Sequence, residues 1–201
     1  ISARVIASCL ETLNVDRVIT FDLHAGQIQG FFSCQTPFDN LYVESYFIKY
    51  IRKNIMPLTS NLDNLTIVSP DEGGVKRAVR ISNKLGLSTT IIYKERSKAN
   101  EISCMKVLGD VRDSICVIVD DMIDTAGTAC KAAQVLKDAG ALQVYMLACH
   151  GIFSNCAIQR IASSQFDKIV VANTLDSQRY QDKILEFGCD KIEYLDVSWM
   201  C

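Results

Sequence analysis

The chain has 201 residues, 49% of them hydrophobic, with 21 basic and 23 acidic side chains and a formal net charge of −2. Its 10 glycines and 3 prolines exclude a collagen-like or low-complexity protein. The near-neutral charge argues against a nucleic-acid partner, which calls for a basic excess against phosphate.

Strand-like runs alternate with helical patterns along the whole chain. In order, the spacing predicts a helix over 2–13, a strand over 18–21, helices over 41–55 and 75–85 flanking a strand over 65–69, and a strand over 89–93. A strand over 115–119, a helix over 128–139, a strand over 144–149 and a helix over 155–162 follow. Strands over 169–172 and 192–195 enclose a last helix over 178–187. The strands are near-continuously apolar, as expected where helices cover both faces of a sheet. In the helix from Thr128, Ala129, Ala132, Ala133, Leu136 and Ala139 recur at helical spacing, and Gly140 supplies the stop. The expected fold is therefore α/β, a mainly parallel sheet flanked by helices. Pro57–Asn64 reads as a loop or insertion, and Lys94–Asp110, polar and without period, as a long functional loop.

The nine cysteines are odd in number, scattered and without metal-ligand spacing, so reduced thiols in a cytoplasmic protein are expected. The longest apolar runs are too short to cross a bilayer, and no membrane partner is expected. The ends are unusual: Ile1 in place of Met, and the apolar Trp199-Met200-Cys201.

Four segments carry chemistry. The first is Ile115-Cys-Val-Ile-Val-Asp120-Asp121-Met-Ile-Asp124-Thr125-Ala126-Gly127-Thr128: a buried strand, two adjacent acids, then a tight loop opening a helix. Backbone amides at a helix N-terminus, with threonine hydroxyls, favour a phosphate, and Gly127 admits a close approach. Two acids repel a phosphate, so they suit sugar hydroxyls or a cation; the plainer alternative is that they cap the helix. There is no Walker A pattern. The second segment is Asp22-Leu-His24-Ala-Gly-Gln-Ile-Gln-Gly-Phe-Phe32, ending at Pro37-Phe-Asp39. Alternation along an extended chain puts Asp22 and His24 on one side, within reach of one magnesium or its phosphates. The third is Ser69-Pro-Asp71-Glu72-Gly73-Gly74-Val-Lys76-Arg77, in which the glycines free the backbone to wrap a diphosphate and Asp71 holds its cation; alone, it is also an ordinary turn. The fourth is Tyr93-Lys94-Glu-Arg96-Ser-Lys98, read either as a solvated face or as cations that stabilise transferring phosphoryl oxygens. His150, at a strand end, is read as structural.

Val119–Thr128 resembles the phosphoribosyl-diphosphate-binding signature of type I phosphoribosyltransferases, in the variant with Asp124 and Ala126 that marks the ribose-phosphate pyrophosphokinases. The other three segments resemble that family's metal and ATP-phosphate motif, its diphosphate loop and its catalytic loop, in the family's order. Departures are Ser33 where an acid usually stands, two extra residues before Pro37, and Glu72 where Ala is commoner.

The resemblance implies a type I phosphoribosyltransferase-like fold and magnesium-dependent transfer of the β,γ-diphosphate of ATP to the 1-hydroxyl of ribose 5-phosphate. It implies that Asp124, Thr125, Ala126, Gly127 and Thr128 grip the 5-phosphate while Asp120 and Asp121 hold the ribose hydroxyls. Asp71, Glu72, Gly73 and Gly74 form the diphosphate loop, Asp22, His24, Asp71 and Asp39 take the metal, and Lys94 and Arg96 stabilise the transition state. It further implies a homodimer or higher homo-oligomer. Residues 1–40 are expected to close a first domain, and 41–201 to be a second domain cut at its end, so the chain alone is expected to be a poor catalyst. The alternatives are a nucleotide-forming phosphoribosyltransferase, disfavoured by the Asp22–Phe32 segment, and a non-catalytic regulatory relative, disfavoured by the intact Lys94 and Arg96.

Overall fold

The computed structural model describes residues 2–98 and 101–200, and within 95–104 the backbone alone. Helix α1 (Ser2–Thr12) leads into strand β1 (Val18–Phe21), which pairs in parallel with β2 (Phe38–Leu41). These two strands form a small sheet of their own. The sequence had suggested one sheet for the whole chain, and a helix beginning at Leu41. Instead Leu41 ends β2, and α2 (Glu44–Tyr50) starts three residues later, continuing through a π-turn over Ile51–Ile55. The amide of Val43 donates to the Asp22 carboxylate at 3.0 Å, which draws the chain out of helical geometry just before α2. β2 also contains Asp39 and Asn40, both poor strand formers, so it left no apolar signal. The expected domain boundary after residue 40 falls inside β2.

The main sheet holds seven strands: β3 (Leu65–Ser69), β4 (Ser88–Lys98), β5 (Glu101–Leu108), β6 (Ile115–Ile123), β7 (Gln143–Gly151), β8 (Lys168–Ala172) and β9 (Ile192–Leu195). Their spatial order is β5-β4-β3-β6-β7-β8-β9, and every pairing is parallel except β4 with β5. The loop expected over Lys94–Asp110 is thus mostly an antiparallel hairpin arm at the sheet edge. An edge hairpin need not bury either face, so no hydrophobic period announced it.

Helices α3 (Val75–Leu85), α4 (Gly127–Asp138), α5 (Ala157–Ala162) and α6 (Gln181–Glu186) complete the chain. Parity along each strand divides the interior into two cores. Leu65, Ile67, Val117, Val119, Leu147 and Val170 face α2 and α3, while Val68, Cys116, Ile118, Met146, Ile169 and Val171 face α4 and α5. That two-sided burial is why the runs read as unbroken apolar segments. α2 is clasped to α3 by Glu44, which accepts from Arg80 Nε at 2.8 Å and Lys84 Nζ at 2.7 Å.

Candidate active site

The candidate residues lie just past the carboxyl ends of β3 and β6 and within the later parts of β4 and β6, on the side of the sheet where ligands of open α/β folds bind. At the end of β6, Asp124–Thr128 turns into α4. Ala126 takes the left-handed backbone (φ 59°), a conformation costly for a residue with a Cβ and found mainly at functional sites. It stands at the N-cap of α4, where its side chain makes no capping bond, so among the described residues the N-cap leaves the first amides of the helix open. The loop is tied from behind: Ser154 N–H donates to the Asp124 carbonyl at 3.1 Å, and Arg160 Nη1 to the Thr125 carbonyl at 2.8 Å. It lines a cavity of about 160 Å³ together with Asp120 and Met122.

The adjacent acids do not end the strand and do not cap the helix. Both lie within β6, whose parity turns them to opposite faces. Asp120 shares the face of Ile118 and borders the cavity of the 124–128 loop; Asp121 shares the face of Val119, toward α3. Arg77 of α3 lies between them, with Nη1 3.4 Å from Asp120 Oδ1 and 3.5 Å from Asp121 Oδ1. Burial, and Asp121 beside it, push the Asp120 carboxyl up to about 7. Burial works the same way on Asp121, but Asp120 and the His24 imidazole outweigh it and hold Asp121 below the usual carboxylate range.

At the end of β3, Ser69 Oγ donates to the Asp71 carbonyl at 2.6 Å and the amide of Gly74 to Asp71 Oδ1 at 3.1 Å. A Cβ on Gly74 would stand 2.9 Å from Ser69 Oγ, so the turn needs glycine there. Lys94, from β4, places Nζ 3.0 Å from Asp71 Oδ2 with only 10% of its side chain exposed. Burial alone would raise the Asp71 carboxyl; the Lys94 ammonium overcomes it and leaves Asp71 lowered. His24, Asp71, Glu72, Gly73 and Lys94 together line a cavity of about 530 Å³. Arg96 pairs across the hairpin with Ile102, and its side chain lies outside the described residues.

The four residues assigned to metal do not meet. Asp22 has φ 39°, which breaks the alternation expected to align it with His24. It is buried, bonded to Val43 N–H, and its carboxyl is raised by desolvation. Asp39 pairs with Arg17 at 3.2 Å on the exposed edge of the small sheet. His24 does reach the site: its Nδ1 lies 2.8 Å from Asp121 Oδ2. Among the described residues, no group of three or more His, Cys, Asp and Glu side chains converges to hold an ion.

Arg77 was not picked out from the sequence. The available signal was a basic residue in the first turn of a helix after a glycine pair. Its Nε is buried without a hydrogen-bond partner among the described residues. His150, read as structural, bridges two segments: its Nε2 donates to the Phe21 carbonyl and its Nδ1 meets Thr174 Oγ1, both at 2.8 Å.

The family model for the phosphoribosyl synthetase-associated domain matches residues 97–201. The phosphoribosylpyrophosphate synthetase from Mycobacterium smegmatis is 32% identical, superposing with a TM-score of 0.84 over 99% of this chain and 60% of that protein. The chain thus spans about three-fifths of that relative's length. A purine phosphoribosyltransferase from Pyrococcus horikoshii Ot3 is 21% identical, with a TM-score of 0.45 over 70% of this chain and 83% of that one. Four motifs in one order, the parallel sheet that presents them and the family match together assign the chain to the phosphoribosylpyrophosphate synthetase family, with a type I phosphoribosyltransferase-like fold.

Proposed function

We propose that the protein carrying this chain transfers the β,γ-diphosphate of ATP to the 1-hydroxyl of ribose 5-phosphate, giving 5-phosphoribosyl 1-diphosphate and AMP. One observation carries the reading. The cavity at Lys94 and Asp71 shares His24, Asp71 and Gly73 with a second one lined by Gly74, Arg77, Asp120 and Asp121, and Asp120 and Met122 of that one also border the loop that opens α4. A single cleft therefore joins a place suited to a diphosphate to a place suited to a sugar phosphate.

In this reading the α4 amides and the hydroxyls of Thr125 and Thr128 take the 5-phosphate, and Asp120 takes a ribose hydroxyl. The 1-hydroxyl oxygen bonds to the β-phosphorus as the bond from that phosphorus to the bridging oxygen of AMP breaks in line, and the hydroxyl proton is lost. Lys94, with Arg96 by resemblance, neutralises charge that develops on the phosphoryl oxygens. Asp71, held ionised by Lys94, is an oxygen donor of the kind magnesium prefers. One protein carboxylate with His24 nearby fits an ion that takes its remaining ligands from phosphates and water. Magnesium would supply further charge neutralisation at the transferring group. Asp22 and Asp39 have no part in this scheme. Cytoplasmic residence and assembly from homodimers belong to the same proposal.

The test is incubation with ATP, ribose 5-phosphate and magnesium, reading AMP together with the activated sugar. Formation of both supports the reading; no AMP at any metal or phosphate concentration overturns it.

A further inference from the structure

We propose that the two adjacent acids of β6 have separate duties: Asp120 alone faces the sugar, and Asp121 is a positioning residue that fixes the imidazole of His24 toward the diphosphate. This deepens the proposed function and rests on it for the identity of the two ligands.

The backbone makes the division. Consecutive residues of a strand point to opposite faces, and the parity of β6 sends Asp120 to the α4 side and Asp121 to the α3 side. Asp120 keeps a quarter of its side chain exposed and borders the cavity of the 124–128 loop; Asp121 keeps 8% and borders only the neighbouring cavity that it shares with His24, Asp71, Arg77 and Asp120. Both oxygens of Asp121 are engaged, Oδ2 with His24 Nδ1 at 2.8 Å and Oδ1 facing Arg77 Nη1 at 3.5 Å. A sugar hydroxyl arriving at Asp121 would have to displace one of them.

His24 shows the other half of the relationship. Its side chain is 74% exposed, and Asp121 is its only hydrogen-bond partner among the described residues. A free surface imidazole turns among several orientations; a bond to one ring nitrogen selects the tautomer and the direction of the other. A carboxylate only accepts, so Nδ1 carries the proton and Nε2 is turned away from Asp121. The ring lines the same cavity as Asp71, Gly73 and Lys94, where the diphosphate and its magnesium would lie. Asp121 thus acts on the diphosphate side through His24, across the strand from the sugar side.

The chain has two histidines, so imidazole nitrogen NMR resolves them readily. At about pH 9, above the ordinary imidazole range, His24 should show its proton on Nδ1 and His150, bonded to a carbonyl through Nε2, on Nε2. Asp121→Ala should release the His24 preference, and Asp121→Asn, whose amide carbonyl accepts the same bond, should restore it. In calorimetry, Asp121→Ala and His24→Ala should each weaken magnesium diphosphate binding about tenfold, the double variant no further, because the two residues act as one unit. Asp121→Ala should move ribose 5-phosphate affinity less than about threefold, while Asp120→Asn lowers it about tenfold or more. Equal loss of ribose 5-phosphate affinity in the two single variants, or additive losses in the double, overturns the proposal. So does an Nε2-protonated His24 in the unaltered protein, which decides the matter even if Asp121→Ala does not fold. Failure of the unaltered protein to bind ribose 5-phosphate counts against the proposed function, while the His24 spectrum still decides this inference.

Discussion

Lys94 Nζ, from within β4, and Asp71 Oδ2, two residues past the end of the parallel neighbour β3, stand 3.0 Å apart, with the lysine almost wholly buried. The pair keeps a cation and an ionised carboxylate together in a cavity lined, among the described residues, also by Glu72, Gly73 and His24. A buried ammonium is costly unless paired, so Asp71 holds Lys94 in readiness at the place where phosphoryl charge would develop. In the reaction proposed above, that charge grows mainly in the transition state.

Replacing Lys94 by Ala should therefore lower turnover about 100- to 1000-fold, the range for loss of one preorganised donor, with little change in KM for either substrate. Steady-state kinetics on the protein carrying this chain checks it. Unchanged turnover removes Lys94 from the chemistry.

Asp120 gives stability a pH dependence of definite sign. Its folded carboxyl, pushed up to about 7 from 3.8, binds its proton more tightly than in the unfolded chain. Stability should thus be full below about pH 4 and fall as pH rises toward about 7, as far as this group is concerned. Asp120→Asn keeps an oxygen to accept the Asp121 amide, a bond of 2.9 Å in the native protein, and cannot ionise. With a quarter of the side chain exposed, water screens part of the effect. The variant should match the parent near pH 4 and exceed it by about 1–3 kcal/mol near pH 8, read by urea unfolding at both values.

His150 should prove a tether for the small sheet. It donates to the Phe21 carbonyl at the end of β1 and meets Thr174 after β8, joining segments 129 and 24 residues away. His150→Leu leaves the half-buried carbonyl and hydroxyl without this partner, which should cost about 1–3 kcal/mol. Hydrogen exchange should accelerate first over residues 18–41, since local opening follows the weakest attachment. A uniform acceleration across the seven-stranded sheet argues against the tether.

Where apolar runs were unbroken, the fold was legible: the wholly buried 65–69 and the half-buried 18–21 and 192–195 are strands with the predicted bounds, and 75–85 is a helix over the predicted span. Legibility failed where pairing rather than burial holds the backbone. β2 carries Asp39 and Asn40 and is held by ladder bonds to β1, and β5 pairs with β4 at an edge. Within the site, local sequence identified the loops but not the directions of their side chains. Asp22 and His24 looked aligned because a strand alternates, and one left-handed residue undid that. Asp120 and Asp121 looked like a pair past the strand end. In fact β6 runs on through them, since Arg77 and His24 supply the partners that let charged residues sit inside a sheet. Arg77 comes from a helix 43 residues earlier, a contact that no local pattern encodes.

Gly127 separates fold from ligand binding. It is the first residue of α4 and, unlike Ala126, does not have a left-handed backbone. A Cβ there would meet nothing closer than Thr125 Oγ1 at 3.8 Å, an ordinary contact. Alanine also narrows the unfolded ensemble, so Gly127→Ala should leave stability unchanged or raise it by about 0.5–1 kcal/mol. The same methyl group projects where a phosphate would approach the α4 amides, and backbone-cradled phosphates tolerate little beyond hydrogen. Ribose 5-phosphate affinity should therefore fall about tenfold or more while the melting temperature holds or rises. Calorimetry and thermal unfolding on the one variant check both halves. A fall in stability with unchanged affinity makes Gly127 a folding residue and removes the 5-phosphate from the N-terminus of α4.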